Sequence, residues 1–276
     1  MAKKLPHPYI KWVGGKARIS DRVLSKIPSK INNYYEPFLG GGAIFFDLYK
    51  RGSIQKATLG DFNPELMNSY RVVRDNVEDL IKYLKKPKYE YKRKSYLNIR
   101  EQNPLKLSSI ERAARFIYLN RTCFNGLYRV NNSGQFNVPF GDYRNPVICD
   151  EVNLKQVSIA LNGVRLLEED FTWVLELAKP GDVVYLDPPY IPLSKTSKFD
   201  SYTRSGFGLD KHEELANTFK ELSRRKVRVI LSNSSAPESY AFYKGFKIEE
   251  FENSRSVGGP ANYRKSVKEL LISVNC

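Results

Sequence analysis

Asp187-Pro188-Pro189-Tyr190 follows the apolar run Val183-Val184-Tyr185-Leu186, which reads as a buried strand. The tetrapeptide sets a carboxylate, two prolyl carbonyls and an aromatic ring at a strand's carboxyl end, where open α/β sheets place their chemistry. A planar amine suits such a site. The Asp187 carboxylate and the Pro188 carbonyl can each accept one hydrogen of an exocyclic NH2. Pro189 fixes the backbone and removes a competing donor, and Tyr190 can stack on the ring bearing the amine. The same four residues also make an ordinary strand-ending turn with a core tyrosine, so the surrounding elements must discriminate.

From Tyr34 to Asp61 the chain reads strand, glycine turn, helix, strand: Tyr35-Glu36-Pro37-Phe38, then Gly40-Gly41-Gly42, a helix from Ala43 to Lys50, and Ala57-Thr58-Leu59 leading to Asp61. Asp61 lies 21 positions after Gly40, the separation at which a second-strand carboxylate meets ribose hydroxyls. Phe45 stands where a dinucleotide fingerprint needs its third glycine. Gly14-Gly15-Lys16 lacks the earlier glycine and the following Ser/Thr of a P-loop. A glycine loop with a ribose carboxylate and no pyrophosphate cradle points to a mononucleoside-like cofactor such as S-adenosylmethionine. Taken singly, the pieces also read as a tight turn and a helix-capping Asp61.

Further strands are expected over Val164 to Leu167, Val183 to Leu186, Val227 to Leu231, Phe246 to Phe251 and Glu269 to Val274, with a helix from Asp210 to Ser223. The economical fold is α/β: a doubly wound, mostly parallel sheet whose last two strands form an antiparallel edge hairpin. Their connection, Asn253 to Lys265, is Gly/Ser/Arg-rich and reads as mobile. Between Asn63 and Asn162 the alternation stops. Long helical patterns, Pro64 to Leu84 and Leu107 to Arg121, mark an inserted lobe. From Lys82 to Arg100 there are eight Lys/Arg against one acidic residue, with Tyr83, Tyr89, Tyr91 and Tyr96 interleaved. Such a stretch reads either as phosphate contacts with stacking tyrosines or as a solvated helix face. Asn125 to Val138 reads as a β-hairpin turning near Asn132 to Gly134, a ribbon able to enter a major groove. Arg129 on it can pair with a guanine or serve as a surface cation.

At 276 residues and 41% hydrophobic content the chain can bury one substantial core, and a net charge of +15 calls for a polyanionic partner, nucleic acid first. No apolar run is long enough to cross a bilayer and no signal core follows Met1, so the expected location is the cytoplasm without a membrane partner. Cys123, Cys149 and Cys276 are odd in number and far apart, which leaves no disulfide framework and no paired-cysteine zinc site. No metal is expected. Of the two histidines, His7 and His212, the second sits in a polar helix and is read as a surface residue.

Together these segments resemble the Dam-type DNA adenine-N6 methyltransferases, of the class in which cofactor loop, target-recognition region and Asp-Pro-Pro-Tyr follow in that order. Tyr9 to Lys16 is similar to the family's N-terminal cofactor motif, Glu36 to Gly42 to its glycine motif and Gly60-Asp61-Phe62-Asn63 to its ribose segment. Asn120 to Arg129 and Phe136 to Gly141 are similar to the recognition hairpin of members that methylate adenine in GATC. The resemblance covers nearly the whole chain. It implies a seven-stranded-type cofactor sheet over 1–62 and 163–276, a mainly helical DNA target-recognition domain with a β-hairpin over 63–162, and transfer of a methyl group from S-adenosylmethionine to N6 of a flipped-out adenine. It assigns catalysis to Asp187, Pro188 and Tyr190, and cofactor contacts to Trp12, Lys16, Phe38, Gly40, Asp61, Asp170, Phe171 and Asp187. DNA recognition falls to Lys11, Phe124, Asn125, Leu127, Arg129, Pro139 and Tyr143, with Phe124 as a wedge in the base stack. Asp142 departs from the family pattern, since many members carry a basic residue there, and this puts a local phosphate contact in doubt. The implied partner is double-stranded DNA, bound by a monomer. A restriction endonuclease is a compatible partner that the sequence does not specify. Other targets, namely another DNA sequence, cytosine N4 or RNA adenine, remain as alternatives, as does a catalytically silent DNA-binding module.

Overall fold

The computed structural model describes residues 5–16, 19–193, 207–254 and 266–276. Met1 to Lys4 and, from residue 255 on, the connection expected over Asn253 to Lys265 lie outside them. Seven strands, β1 (Ile31–Glu36), β2 (Ile54–Gly60), β3 (Arg165–Leu167), β4 (Val183–Leu186), β5 (Arg228–Ser234), β6 (Lys247–Ser254) and β7 (Ser266–Val274), form one sheet in the order β3-β2-β1-β4-β5-β7-β6. The expected mixed α/β sheet is thus present, and β6 and β7 are the antiparallel edge pair. All four residues of β4 are buried, as a central parallel strand requires, with β1 parallel on one side and β5 parallel on the other. The order reverses between β1 and β4, so Asp187 leaves the sheet at its switch point, the place where open α/β sheets bind their ligands.

The chain divides into two compact units, one of residues 1–17, 40–51 and 61–168, the other of 18–39, 52–60 and 169–276. In the first, the helix Ser109–Thr122 is central and packs against Pro64–Asp75, Val77–Leu84 and Arg93–Glu101. It starts behind a Ser108/Glu111 capping box, two residues later than the apolar pattern suggests. The single helix expected from Pro64 to Leu84 is two. Asn76, at φ −137 and ψ 35, ends the first, and Val77–Leu84 restarts with its own buried face of Leu80, Ile81 and Leu84. Arg115 is buried and donates to the carbonyls of Ile99 and Arg100, satisfying the open end of Arg93–Glu101.

Three of the four tyrosines of the basic stretch serve the fold and form no stacking platform. Tyr89 and Tyr96 are buried, Tyr96 donates to the Val138 carbonyl, and Tyr91 donates to that of Gly141. Their rings fill the core while their hydroxyls satisfy loop carbonyls. The expected hairpin is likewise no regular ribbon. Isolated bridges, Val130 with Phe136 and Cys123 with Phe140, close it. The Asn131 side chain accepts from the amides of Ser133 and Gln135, so local turn bonds engage donors that a strand ladder would use.

In the second unit the helix Leu209–Arg224 packs on β5 and buries His212, Leu215, Ala216, Phe219 and Leu222 as one stripe. His212 is therefore a core residue, only 3% exposed, and not the surface residue expected. No helix among the described residues is long and apolar enough to cross a membrane, and among them no cluster of His, Cys, Asp or Glu could hold a metal ion.

Candidate functional site

In the first unit, Gly40 opens the glycine turn at φ +48, where a Cβ would come within 2.6 Å of the Trp12 ring. Only glycine allows both that backbone conformation and that approach. The Gly40 amide donates to Asp61 Oδ2 at 3.0 Å, the Asn63 amide to Oδ1 at 3.0 Å, and the Tyr70 hydroxyl to the Gly40 carbonyl at 3.0 Å. Burial pushes the Asp61 carboxyl above the usual carboxylate range, while the amides of Gly40, Asn63 and Phe62 pull it down. Each oxygen keeps a further lone pair, so the carboxylate can still accept hydroxyls. Phe62, beside it, is 79% exposed, a ring with no core to fill. Lys16 is buried and donates to the Gly14 carbonyl, and Trp12 stacks on Tyr128 and tilts against Phe116. Trp12, Lys16, Gly40 and Asp61 thus belong to one unit, with Trp12, Gly40 and Asp61 in direct succession. A nucleoside with a ribose diol fits this donor set.

The residues expected to read DNA belong to the same unit: Lys11 in the N-terminal segment and the others on a stitched loop. Phe124, half exposed, donates its amide to the Pro139 carbonyl. Asn125 takes the left-handed conformation at φ 54, and the Leu127 amide closes the turn on the Phe124 carbonyl. The Tyr143 hydroxyl donates to the Cys123 carbonyl at 2.8 Å, and Lys11 Nζ sits 3.8 Å from the Tyr143 ring centroid. Arg129 is exposed, its Nε donating to Asn137 Oδ1 at 2.7 Å and its Nη2 to the Asn137 carbonyl. One edge of the guanidinium is engaged, which leaves the end-on pair of N–H groups for a base edge. Asn120, which the sequence alone did not single out, exchanges two bonds with the Lys11 backbone and donates to the Gly126 carbonyl.

In the second unit, Phe38 stacks on Phe171 at 5.5 Å, with Phe207 edge-on to Phe38. Asp170 accepts from the Thr172 amide and from Lys211 Nζ. Past β4, Pro188 is buried and Asp187 and Tyr190 are half-buried. The Tyr190 hydroxyl donates to Glu269 at 3.2 Å, Tyr34 donates to the buried Glu36 at 2.9 Å, and Tyr185 shares a 2.7 Å bond with Ser232. Burial, and after it the Asp187 charge, pushes the Tyr190 and Tyr185 phenols well above their ordinary range. Glu36 and Glu269 add to the effect at Tyr185. Three carboxylates therefore bear on one small region, which favours a cation or developing positive charge there. His212 faces the Pro189 carbonyl, and Asn233 Oδ1 accepts from the Ile191 amide. His212 was legible in principle, because it falls on the 3.6-residue stripe of its helix. Asn233 gives no such signal.

Residues 12–257 match the sequence profile of the D12 class N6 adenine-specific DNA methyltransferases. The chain is similar to the Type II methyltransferase M1.LlaDCHI of Lactococcus lactis subsp. cremoris at 42% identity, over 96% of this chain and 94% of that one. It is similar to the Type II methyltransferase M.MjaIII of Methanocaldococcus jannaschii at 40%, over 96% and 98%. Similarity to the DNA adenine methylase of Haemophilus influenzae is 33%, over 97% and 94%. The match spans the glycine turn, the stitched loop and the Asp-Pro-Pro-Tyr strand end alike, and the chain belongs to the D12 class N6 adenine-specific DNA methyltransferase family.

Proposed function

We propose that this enzyme transfers the methyl group of S-adenosylmethionine to N6 of an adenine extruded from duplex DNA, in the sequence GATC. The observation that carries the reading is the set of carboxylates gathered where Asp187 leaves the switch point of the sheet. Residues 1–62 and 163–276 perform catalysis, and 63–162 select the target.

Bound S-adenosylmethionine supplies an electrophilic methyl group on a sulfonium. Asp61 accepts the ribose hydroxyls, Trp12, Lys16 and Gly40 beside it contact the cofactor, and Phe38, Asp170 and Phe171 of the second unit are further cofactor contacts. Tyr190 stacks on the extruded adenine. Asp187 and the Pro188 carbonyl hold the two N6 hydrogens, which turns the nitrogen lone pair toward the methyl. As the N6–methyl bond forms, the sulfonium–methyl bond breaks and leaves a neutral thioether; the positive charge thus passed to N6 is stabilised by Asp187 until one N6 proton is lost to solvent. Orientation and electrostatic preorganisation therefore do the work, with no covalent enzyme intermediate. Lys11, Leu127, Arg129, Pro139 and Tyr143 read base edges while Phe124 and Asn125 enter the stack, offsetting the few kcal/mol that flipping costs. The enzyme acts as a monomer in the cytoplasm, and the Type II names of two relatives favour work beside a restriction endonuclease.

The test is transfer of a labelled methyl to a GATC duplex, the same duplex with the adenine moved out of the site, its single strand and an RNA equivalent. N6-methyladenine is expected in the first alone. Asp187→Ala should abolish transfer while leaving DNA binding intact. Label in another substrate overturns the specificity, and turnover by Asp187→Ala overturns the mechanism.

A further inference from the structure

The strand end that carries Asp187 is latched on its far side to a neighbouring strand pair. The Tyr190 hydroxyl donates to Glu269 Oε2 at 3.2 Å. One residue on, the Ile191 amide donates to Asn233 Oδ1 at 3.1 Å and the Ser234 hydroxyl donates to the Ile191 carbonyl. Ser234 and Glu269 are direct partners across β5 and β7, with Asn233 opposite Leu270. Asn233 and Ser234 are buried, and the Asn233 oxygen also accepts the Ser234 amide at 2.8 Å, which fixes the amide plane. One register position of the sheet therefore grips both the ring and the following backbone.

Pro189, with φ fixed and no N–H, offers the loop no anchoring donor of its own, so the bonds just beyond it decide where the Tyr190 ring stands. A tyrosine ring with χ2 free to turn is a poor platform for a flat base. The hydroxyl oxygen lies on the χ2 axis, so its bond to Glu269 anchors the far end of the ring, and the preference of a phenolic O–H for the ring plane biases the ring's tilt. Burial keeps that phenol protonated, so it is a donor and Glu269 the acceptor.

We propose that Glu269 and Asn233 are positioning residues for the base-holding loop, Glu269 orienting the Tyr190 ring through its hydroxyl and Asn233 fixing the Ile191 backbone. The proposal rests on the reading that Tyr190 stacks on the extruded adenine. It adds residues of β5 and β7, distant in sequence from Asp187, to those on which methyl transfer depends.

The experiment compares Glu269→Gln, Glu269→Leu, Tyr190→Phe, Tyr190→Ala, the Glu269→Leu/Tyr190→Phe double variant and Asn233→Ala. The readouts are single-turnover methyl transfer, KM for DNA, and fluorescence of 2-aminopurine at the target adenine. Glu269→Leu and Tyr190→Phe should each slow single-turnover transfer roughly 10- to 100-fold, the range expected of a misplaced reactant, with little change in KM. The double variant should be no slower than the worse single one, since both remove the same bond. Glu269→Gln, which keeps an acceptor, should restore the rate to within about threefold of wild type and Asn233→Ala should dim the flipped-base signal. Tyr190→Phe keeps the ring and the carboxylate, so it decides the matter even if Glu269→Leu fails to fold. Wild-type rates in Tyr190→Phe overturn the latch, and a Glu269→Gln rate as low as that of Glu269→Leu shows that charge, not positioning, is what matters. If Tyr190→Ala is itself harmless, the stacking reading fails. If it is crippling while Tyr190→Phe and Glu269→Leu are neutral, only the latch fails.

Discussion

At the scale of single residues, burial and hydrogen bonding decide the roles. Asp61 is a carboxylate that the glycine turn needs before any ligand arrives, because its two oxygens gather the amides of Gly40 and Asn63. His212 is a second case. Burial pushes its imidazole from 6.5 down to about 4, against the opposing pull of the Pro189 carbonyl and the Asp210 charge. The folded ring stays neutral while an unfolded chain takes up a proton between those two values. Stability contributed here is present above pH 6.5 and is lost as pH falls toward 4. Urea midpoints measured at pH 7 and pH 5 should fall less in His212→Gln than in wild type. Equal falls would mean that other groups carry the acid sensitivity. The polar composition of its helix led to a surface reading, although the spacing from Leu215, Ala216 and Phe219 carried the signal of burial; the carbonyl it faces left no trace in the sequence.

At the scale of elements, turns and caps place the side chains. The glycine turn works because Gly40 combines φ +48 with a Cβ position already filled by the Trp12 indole, whereas Gly52, at φ +63, has nothing within 4 Å. Gly52→Ala should therefore cost only the left-handed backbone term, about 1–2 kcal/mol. Gly40→Ala must also displace Trp12 from its stack on Tyr128, and should lose more stability and most of its cofactor affinity. Thermal melts of the two variants, paired with cofactor titration, check this, and equal losses would remove the Trp12 contact from the explanation. Among the described residues periodicity located all the strands and the helices Ala43–Lys50, Pro64–Asp75, Ser109–Thr122 and Leu209–Arg224, but it did not mark Arg93–Glu101, Glu151–Leu161 or Pro237–Phe242. It failed at Asn76, whose backbone leaves the helical region between two helices, and at Asn131, whose side chain takes up amides that a strand ladder would use.

At the scale of the whole molecule, net positive charge holds nucleic acid without regard to sequence and contacts to base edges select it, and the charge of +15 and the proposed base-reading loop divide along that line. Lys94 is exposed on the helix Arg93–Glu101, and Lys94→Ala should weaken all sequences alike and lower the salt slope by about one. Arg129→Ala should instead relax discrimination at one base pair by about 1–3 kcal/mol. Binding to matched and mismatched duplexes across a salt series separates the two outcomes, and identical profiles would undo the assignment of the loop.

Sequence by itself determined the α/β class, the strand ends bearing Asp61 and Asp187, the glycine turn and the basic character, because each follows from local periodicity, turn chemistry or simple charge. What only the tertiary structure decided are pairings between residues far apart in the chain: Tyr190 with Glu269, Ile191 with Asn233, Lys11 with Asn120, and tyrosines whose hydroxyls serve loop carbonyls instead of bases. Those depend on strand order and register, which bring distant segments to one point and leave no trace in the spacing of residues along the chain.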